Sequence, residues 1–195
     1  MSKTVEFWYD VMSPAAYLAY WELKNIVQRT DAIVDYQPML LGGVFKATGN
    51  QTPINIAPKG KWMLFDMANY ARKYGIPLKM NPFFIFNSMP LMRGAIIAQQ
   101  RHELELYNDT IFNGIWRQEK NLGDPKVIAQ TLTTAGLDAT AYVEGVQQQE
   151  VKDALILNTN LAVEKGVFGA PTFFVGEKMW WGQDRLDWVE QELAV

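Results

Sequence analysis

The sequence shows strand patterns only near its two ends, and this distribution constrains the fold more than any other feature. Thr4–Tyr9 and Ala32–Gln37 are rich in β-branched and aromatic residues, which favours strands. Thr172–Val175 and Lys178–Trp181 have the same character, and Gly176-Glu177 between them predicts a hairpin. The long stretch between the two pairs has apolar residues at helical spacing. The predicted order is therefore βαβ, a helical block, then ββα.

A helix is predicted directly after the first strand. Ser13 is a good N-cap, because its hydroxyl can accept from the open N–H groups of the first turn, and Pro14 suits the first helical position. The apolar spacing continues to about Gln28, and a strand–helix–strand order implies a right-handed crossover with a parallel pair. The N-terminus of this helix would stabilise an anion that binds next to it. Taken alone, however, Ser-Pro indicates only a helix start.

The middle of the chain predicts one irregular stretch followed by helices. Gly, Asn and Pro residues between Met39 and Lys59 indicate a loop. Helices are predicted over the apolar stripes Met63–Tyr74, Leu104–Ile115 and Val151–Ala162, from near Pro90 with Ser88 or Asn87 as the cap, from Asp124, from Asp138, and over Leu186–Leu193. We therefore expect one α/β domain that is interrupted by a helical insertion.

Composition excludes several classes of function. The 195 residues contain no cysteine, which rules out disulfides, thiolate metal sites, a Cys nucleophile and dithiol redox chemistry within the chain. The single histidine, His102, excludes His-rich metal sites, and its place between Arg101 and Glu103 favours a surface role. A net charge of −3 without a basic run argues against nucleic acid and membrane surfaces as partners. The sequence shows no signal-like stretch and no bilayer-length apolar run, so a soluble cytoplasmic protein is expected.

Four motifs together carry a family resemblance. They are Phe7–Pro14, Thr48-Gly49-Asn50 with Pro58-Lys59-Gly60, Val167–Thr172, and Met179–Leu186. The chain resembles the DsbA-like thioredoxin-fold proteins that carry a helical insertion, and among them the 2-hydroxychromene-2-carboxylate isomerases and the kappa-class glutathione transferases. This resemblance implies an α/β thioredoxin fold (βαβ–ββα) with a large all-helical insertion. The implied thioredoxin-like domain comprises residues 1–58 and 167–195, and the inserted helical domain comprises residues 59–166.

The resemblance also implies roles for individual residues. Ser13 stands where the oxidoreductases have their first cysteine, and it would donate a hydrogen bond to the thiolate of bound glutathione. Pro171 matches the family's cis-proline, and Ala170 before it would pair with glutathione as one strand pairs with another. Gln183 and Asp184 match positions that bind the γ-glutamyl end, where a carboxylate can face the ammonium group.

Three further polar residues match binding positions less directly. Asn50 and Lys59 match positions that contact glutathione or substrate, and the charge of Lys59 suits a carboxylate. Asn55 is a candidate for the substrate side, and no metal is implied. The family commonly follows Ser-Pro with an aromatic residue and then Ser or Thr. This chain has Ala15 and Ala16 instead, which alters the pocket beside the thiolate.

The implied activity is a glutathione-dependent isomerisation that interconverts 2-hydroxychromene-2-carboxylate and trans-o-hydroxybenzylidenepyruvate in aromatic, naphthalene-type catabolism. The implied partners are glutathione, a small aromatic carboxylate and a second copy of the chain in a homodimer. Two alternatives remain open at this point. One is a kappa-like glutathione S-transferase that conjugates electrophiles, which the two alanines could suit by leaving a more open site. The other is a non-catalytic module that binds glutathione or peptides.

Overall fold

The computed structural model describes residues 2–194 and contains one mixed sheet of four strands. The strands are β1 (Thr4–Tyr9), β2 (Ile33–Pro38), β3 (Thr172–Val175) and β4 (Lys178–Trp181). They lie in the order β2-β1-β3-β4, with β1 parallel to β2 and antiparallel to β3, and with β3 and β4 forming a hairpin. Met1 and Val195, which end the predicted domain ranges, lie outside the described residues.

Nine α-helices and two short 3-10 helices account for most of the rest of residues 2–194. The α-helices are α1 (Pro14–Thr30), α2 (Leu41–Thr48), α3 (Ala57–Tyr74), α4 (Met89–Gln100), α5 (Leu104–Trp116), α6 (Pro125–Thr134), α7 (Ala139–Gly145), α8 (Gln149–Glu164) and α9 (Leu186–Ala194). The 3-10 helices span Pro53–Asn55 and Gln183–Arg185. No helix in this part of the chain is both long and apolar enough to cross a membrane.

Strand β1 lies inside the sheet and contributes side chains to both of its faces, as the alternation along a strand requires. On one face the ring of Phe7 stacks on Tyr9 and Phe173, with ring centroids 5.0 and 5.4 Å apart. On the other face Trp8 belongs to a smaller buried cluster with Met39 and other apolar side chains. The end of β1, from which the next turn begins, is therefore buried on both faces.

The helices between β2 and β3 pack against the sheet domain through a shared apolar core. The ring of Phe112 in α5 stacks on Tyr20 in α1 with centroids 5.0 Å apart. The indole N–H of Trp116, also in α5, donates to the carbonyl of Val11 at 2.8 Å. The inserted helices thus contact the turn between β1 and α1 directly. The division of the chain into residues 1–58 with 167–195 and residues 59–166 stays a prediction.

The structure confirms the order of elements that the sequence predicts. The βαβ unit, the helical insertion, the hairpin and the final helix all occur, and the hairpin strands have the predicted bounds. The helix starts predicted at Asp124 and Asp138 are also confirmed, because Asp124 accepts from the N–H of Lys126 and Asp138 accepts from the N–H of Ala141. These elements depend on local residue patterns, which is why the sequence suffices to predict them.

The irregular stretch predicted from Met39 to Lys59 was wrong in part. It contains α2, one 3-10 helix and the first turn of α3, which begins at Ala57. Gly43 explains the difference for α2, because a Cβ at this position would lie 2.9 Å from Cγ2 of Thr159 in α8. The glycine therefore permits close packing of two helices here, although in the sequence it suggests a loop.

Candidate functional site

Ser13 begins α1, and its side chain is almost fully buried, with 7% of the residue exposed. Its backbone is extended, and its hydroxyl oxygen accepts from the N–H of Ala16 at 3.2 Å. Pro14 follows at the first helical position. The predicted N-cap is therefore confirmed. Because Pro14 has no N–H, the next first-turn donor is Ala15, whose N–H has no hydrogen-bond acceptor within residues 2–194.

The Ser13 hydroxyl lies beside the segment that precedes β3. It donates to the carbonyl of Ala170 at 3.3 Å, and the Ala170–Pro171 peptide bond is cis, as the motif predicts. The carbonyl of Pro171 accepts from the N–H of Gly182 at 3.0 Å. The structure thus brings together Ser13, Ala170 and Pro171, which are far apart in the sequence.

A buried carboxylate holds the turn that carries Ser13. Asp10 is 1% exposed, and one of its oxygens accepts from the N–H of Met12 at 3.0 Å. The other oxygen accepts from the N–H of Leu41 at 3.0 Å and from the hydroxyl of Ser88 at 2.9 Å. Burial raises the pKa of Asp10, and these three hydrogen bonds oppose the rise. One carboxylate therefore ties the turn to the start of α2 and to the approach to α4.

The same carboxylate caps the start of α2 and contacts the N-cap residue of α4. The N-cap residue of α2, Leu40, has no polar side chain, and Asp10 accepts from the first N–H of that helix instead. Ser88, one of the two predicted caps, is the N-cap residue of α4, and its hydroxyl donates to Asp10. The side chain of Asn87, the other predicted cap, accepts from the N–H of Met89, the first residue of α4, at 3.0 Å.

A polar cluster forms where the hairpin meets the last helix. Gln183 is buried, and its side-chain amide donates to a carboxylate oxygen of Asp66 in α3 at 3.3 Å. Its carbonyl accepts from the hydroxyl of Tyr74 at 2.6 Å. Partial burial and then the charge of nearby Asp184 raise the pKa of Asp66, while the Gln183 hydrogen bond opposes this. Asp66 and Asp184 therefore lie close enough for their negative charges to repel each other.

Gly182 allows the Asp184 carboxylate to lie where it does. Its φ is 104°, a region that side-chain-bearing residues rarely adopt, and a Cβ at this position would collide with a carboxylate oxygen of Asp184. Arg185 approaches Asp184 only at 3.6 Å, and its side chain is largely exposed. That pair is therefore weak, and the Asp184 charge stays available to a ligand.

The sequence alone assigned no role to Asp66, which the structure places in contact with Gln183. One feature of the sequence could have pointed to Asp66, namely its spacing from Lys59. Asp66 lies seven residues after Lys59, so both side chains project from the same face of α3, about 10 Å apart along the helix. Asp66 is a candidate because it accepts a hydrogen bond from Gln183. Gln183 is more than a hundred residues away in the sequence, so spacing along α3 could not identify this contact.

The three remaining predicted residues lie on an exposed edge. The side-chain amide of Asn50 donates to the carbonyl of Phe168 at 2.7 Å, which holds the segment leading to Ala170. Asn55 donates to the side chain of Gln51 at 3.1 Å. Lys59 is exposed in the first turn of α3, and its ammonium makes no ion pair within residues 2–194. Neither Asn55 nor Lys59 is hydrogen-bonded to Ser13, Ala170 or Gln183.

Ala15 and Ala16 occupy different environments. Ala16 is fully buried in the main core, so neighbouring side chains fill the space around it. Ala15 is only partly buried, and its N–H is the free donor described above. Any widening of the site by these two alanines is therefore confined to Ala15. His102 lies exposed in the turn between α4 and α5, consistent with a surface position.

An aromatic pair borders the other side of the Ala170 segment. The rings of Phe168 and Trp181 lie 5.1 Å apart, and Trp181 is about half exposed at 47%. A Cβ at Gly169 would lie 2.6 Å from the indole nitrogen of Trp181, so only glycine permits this close approach. An exposed indole at this position offers a flat surface for an apolar or aromatic ligand.

Comparison with known proteins shows the family to which the chain belongs. Residues 4–194 match the DSBA-like thioredoxin domain, and the chain belongs to this family. Individual proteins within reach of this family are similar to the chain over nearly its whole length. A 2-hydroxychromene-2-carboxylate isomerase of Sphingobium xenophagum is 31% identical over 195 residues, covering 99% of both chains. Glutathione S-transferase kappa 1 of Rattus norvegicus is 25% identical over 201 residues, covering 95% of this chain and 88% of the transferase.

A solved structure supports the same relationship. That of a 2-hydroxychromene-2-carboxylate isomerase matches with a TM-score of 0.88 and 28% identity, covering 96% of this chain and 93% of the other. The resemblance predicted from the four motifs is therefore confirmed, and so is the thioredoxin fold with its helical insertion.

Proposed function

We propose that this protein is a glutathione-dependent isomerase that interconverts 2-hydroxychromene-2-carboxylate and trans-o-hydroxybenzylidenepyruvate. The observation that carries the proposal is Ser13, a hydroxyl at the N-terminus of α1 beside Ala170 and Pro171, in a chain without any cysteine. The names of the relatives support an enzyme of the isomerase or kappa transferase kind. What the structure adds is a set of open groups that suits a peptide thiol.

The donors at the start of α1 suit the sulfur. The Ala15 N–H has no acceptor within residues 2–194, and the Ser13 hydroxyl has its oxygen held by Ala16. Both lie at the positive end of a 17-residue helix, which favours an anion. A thiol bound there loses its proton more readily than in water, because hydrogen bonds and the helix dipole stabilise the thiolate.

The acidic cluster suits the amino group at the γ-glutamyl end. Asp66 and Asp184 repel each other, and a bound ammonium group would relieve that repulsion. Gln183 keeps Asp66 in place by its hydrogen bond, and Tyr74 in turn fixes the Gln183 backbone. This arrangement would orient one end of the tripeptide relative to Ser13.

The exposed edge suits carboxylates. Lys59 is a cation without an ion-pair partner in the described part of the chain, and it lies in the first turn of α3, where the helix dipole adds to its positive potential. A carboxylate of glutathione or of the substrate would bind there, with Asn55 on the substrate side. Asn50 would act by holding the Phe168 carbonyl and hence the Ala170 segment.

Bound glutathione would supply a thiolate that adds reversibly to the conjugated double bond of the substrate, so that rotation occurs about a single bond before the sulfur leaves. The chain's part is to keep the sulfur deprotonated between turns of the reaction and to hold the carboxylate end of the substrate. The isomerisation involves no net oxidation or reduction of the substrate, which agrees with a chain that has no redox-active cysteine.

A second candidate is a conjugating glutathione transferase of the kappa kind. Ala15 favours it, because a small, half-buried side chain beside Ser13 leaves room for a bulkier electrophile. The full-length match to kappa transferases also supports a transferase activity.

The test is a spectroscopic assay with 2-hydroxychromene-2-carboxylate, protein and glutathione. We expect conversion to the trans product only when glutathione is present, with glutathione recovered unchanged. Consumption of glutathione with an electrophile and no isomerisation would favour the transferase. No turnover of either substrate would refute both. Ser13→Ala should abolish conversion, and Thr133→Ala serves as a matched control, because it removes an exposed hydroxyl in α6.

A further inference from the structure

A cavity of about 180 Å³ lies along the flank of α1, separate from the helix start that carries Ser13. Trp21, in its wall, is eight residues after Ser13 and therefore about 12 Å further along the helix. The lining residues used below come from α1, from the end of α3 with the turn after it, and from the end of α5: Tyr17, Trp21, Tyr74, Pro77, Asn113 and Arg117. An engineered cavity of about 150 Å³ in another protein binds benzene, so this volume admits a molecule with one ring.

Two polar atoms of the lining residues have no hydrogen-bond partner. The indole nitrogen of Trp21 and the side-chain oxygen of Asn113 are both buried, and neither is bonded to any group within residues 2–194. Buried polar atoms of folded proteins nearly always have a partner, so this pair requires an explanation. The indole N–H is a donor and the amide oxygen is an acceptor. An occupant that satisfies both therefore brings one acceptor and one donor.

The charge at the cavity favours an anion. The guanidinium of Arg117 belongs to none of the ion pairs within residues 2–194. Burial raises the pKa of Tyr17 to about 12, and the charge of Arg117 opposes this rise, so the guanidinium lies near the phenol. Glu22, next to Trp21 in the chain, is compensated by its ion pair with Arg29 at 3.0 Å. A carboxylate suits Arg117 best, because it can accept two parallel hydrogen bonds.

The two tyrosines of the wall contribute ring surface, because their hydroxyl groups are already bonded to the protein. Tyr17 donates to the carbonyl of Pro77, and Tyr74 donates to the carbonyl of Gln183 at 2.6 Å. Together with the indole of Trp21, these rings suit an aromatic ligand.

We infer that this cavity is a second binding site, which takes a single-ring aromatic carboxylate that also carries a hydroxyl group. The carboxylate accepts from Arg117 and from the indole N–H of Trp21, and the hydroxyl donates to the side-chain oxygen of Asn113. The site is independent of the proposed glutathione site, because it uses neither Ser13 nor the acidic cluster.

The experiment titrates the intact, ¹⁵N-labelled protein with 3-hydroxybenzoate as the probe. The indole N–H signals are followed by NMR, and the Trp21 signal is identified by its loss in Trp21→Phe. Affinities are measured by calorimetry for the probe, for benzoate, which lacks the hydroxyl, and for 3-hydroxybenzamide, which lacks the charge.

We expect a saturable shift of the Trp21 signal and about tenfold weaker binding of both benzoate and 3-hydroxybenzamide. Arg117→Ala should weaken binding of the probe about tenfold, whereas Arg101→Ala, which removes another exposed guanidinium, should not change it. In Asn113→Ala the preference for 3-hydroxybenzoate over benzoate should disappear.

Three results would overturn the inference. An unshifted Trp21 signal would mean that the cavity holds water only. Equal affinities for all three ligands would mean that the two unpartnered atoms and Arg117 do not select the occupant. Loss of probe binding in Lys59→Ala would mean that the carboxylate binds at the exposed edge near the proposed glutathione site instead.

Discussion

Two sides of the candidate site differ in how firmly the chain holds them. The turn from Asp10 to Ser13 is mostly buried, and the Asp10 carboxylate, Trp116 and Met92 all bond to its backbone. Residues 50–59, on the other side, are mostly exposed and joined to the rest of the protein by few polar contacts, such as that of Asn50 with Phe168. The side that would activate sulfur is fixed in advance, whereas the side that would bind carboxylates can adapt.

The largest effect should follow from removing the carboxylate that fixes the turn. Asp10→Ala should lower the free energy of unfolding by about 3 kcal/mol, because three buried or partly buried donors lose their acceptor. Urea unfolding measures this, and Asn55→Ala on the exposed side should change stability by less than about 0.5 kcal/mol. If the two variants are equally stable, the contrast between the two sides does not hold.

The same contrast predicts a pH dependence. Because burial raises the pKa of Asp10, the folded protein holds this proton more tightly than the unfolded chain. That contribution to stability is complete below the unfolded pKa, about 3.9, and is lost as the pH rises through the raised folded pKa. The stability of the unsubstituted protein relative to Asp10→Asn should therefore fall as the pH increases. Unfolding titrations at several pH values would show it, and the opposite slope would mean a lowered pKa.

An intermediate effect is expected at the acidic cluster. Asp184→Asn should weaken glutathione binding about tenfold, because it removes one of two charges that face the ammonium group. Calorimetry with N-acetylglutathione, which has no ammonium group, provides the control. For that ligand the variant should bind about as well as the unsubstituted protein. An equal loss for both ligands would show that Asp184 acts on something other than the amino group.

The smallest effect should come from the exposed side. Lys59→Ala should weaken binding only about threefold, because an exposed ion pair is worth less than about 1 kcal/mol. Lys61→Ala is the matched control, since it removes the same charge from a nearly opposite face of α3. A tenfold loss for Lys59→Ala would show that this side closes over the ligand and is as well ordered in the complex as the turn.

Sequence and structure agree wherever the signal is local. Ser13 as the cap of α1, the hairpin bounds and the helix start at Asp124 each depend on a few neighbouring residues, and each is confirmed. Helix α2 was missed because the packing of Gly43 against Thr159 involves a contact more than a hundred residues away. The sequence assigned no role to Asp66 for the same reason, because its hydrogen-bond partner Gln183 is also more than a hundred residues away. The sequence supplied the candidate residues, whose roles stay predictions, but not the contacts between distant segments that position them.

The contacts between the inserted helices and the turn also limit how freely these parts could be exchanged between relatives. Ser88, Met92 and Trp116 each bond to the segment Asp10–Val11. A chimaera whose new insertion lacked these three side chains would keep its strands and its Ser13 and still lose the contacts that hold Ser13 in place. The insertion and the turn should therefore be inherited and engineered as one unit, and grafts should carry these three side chains with them.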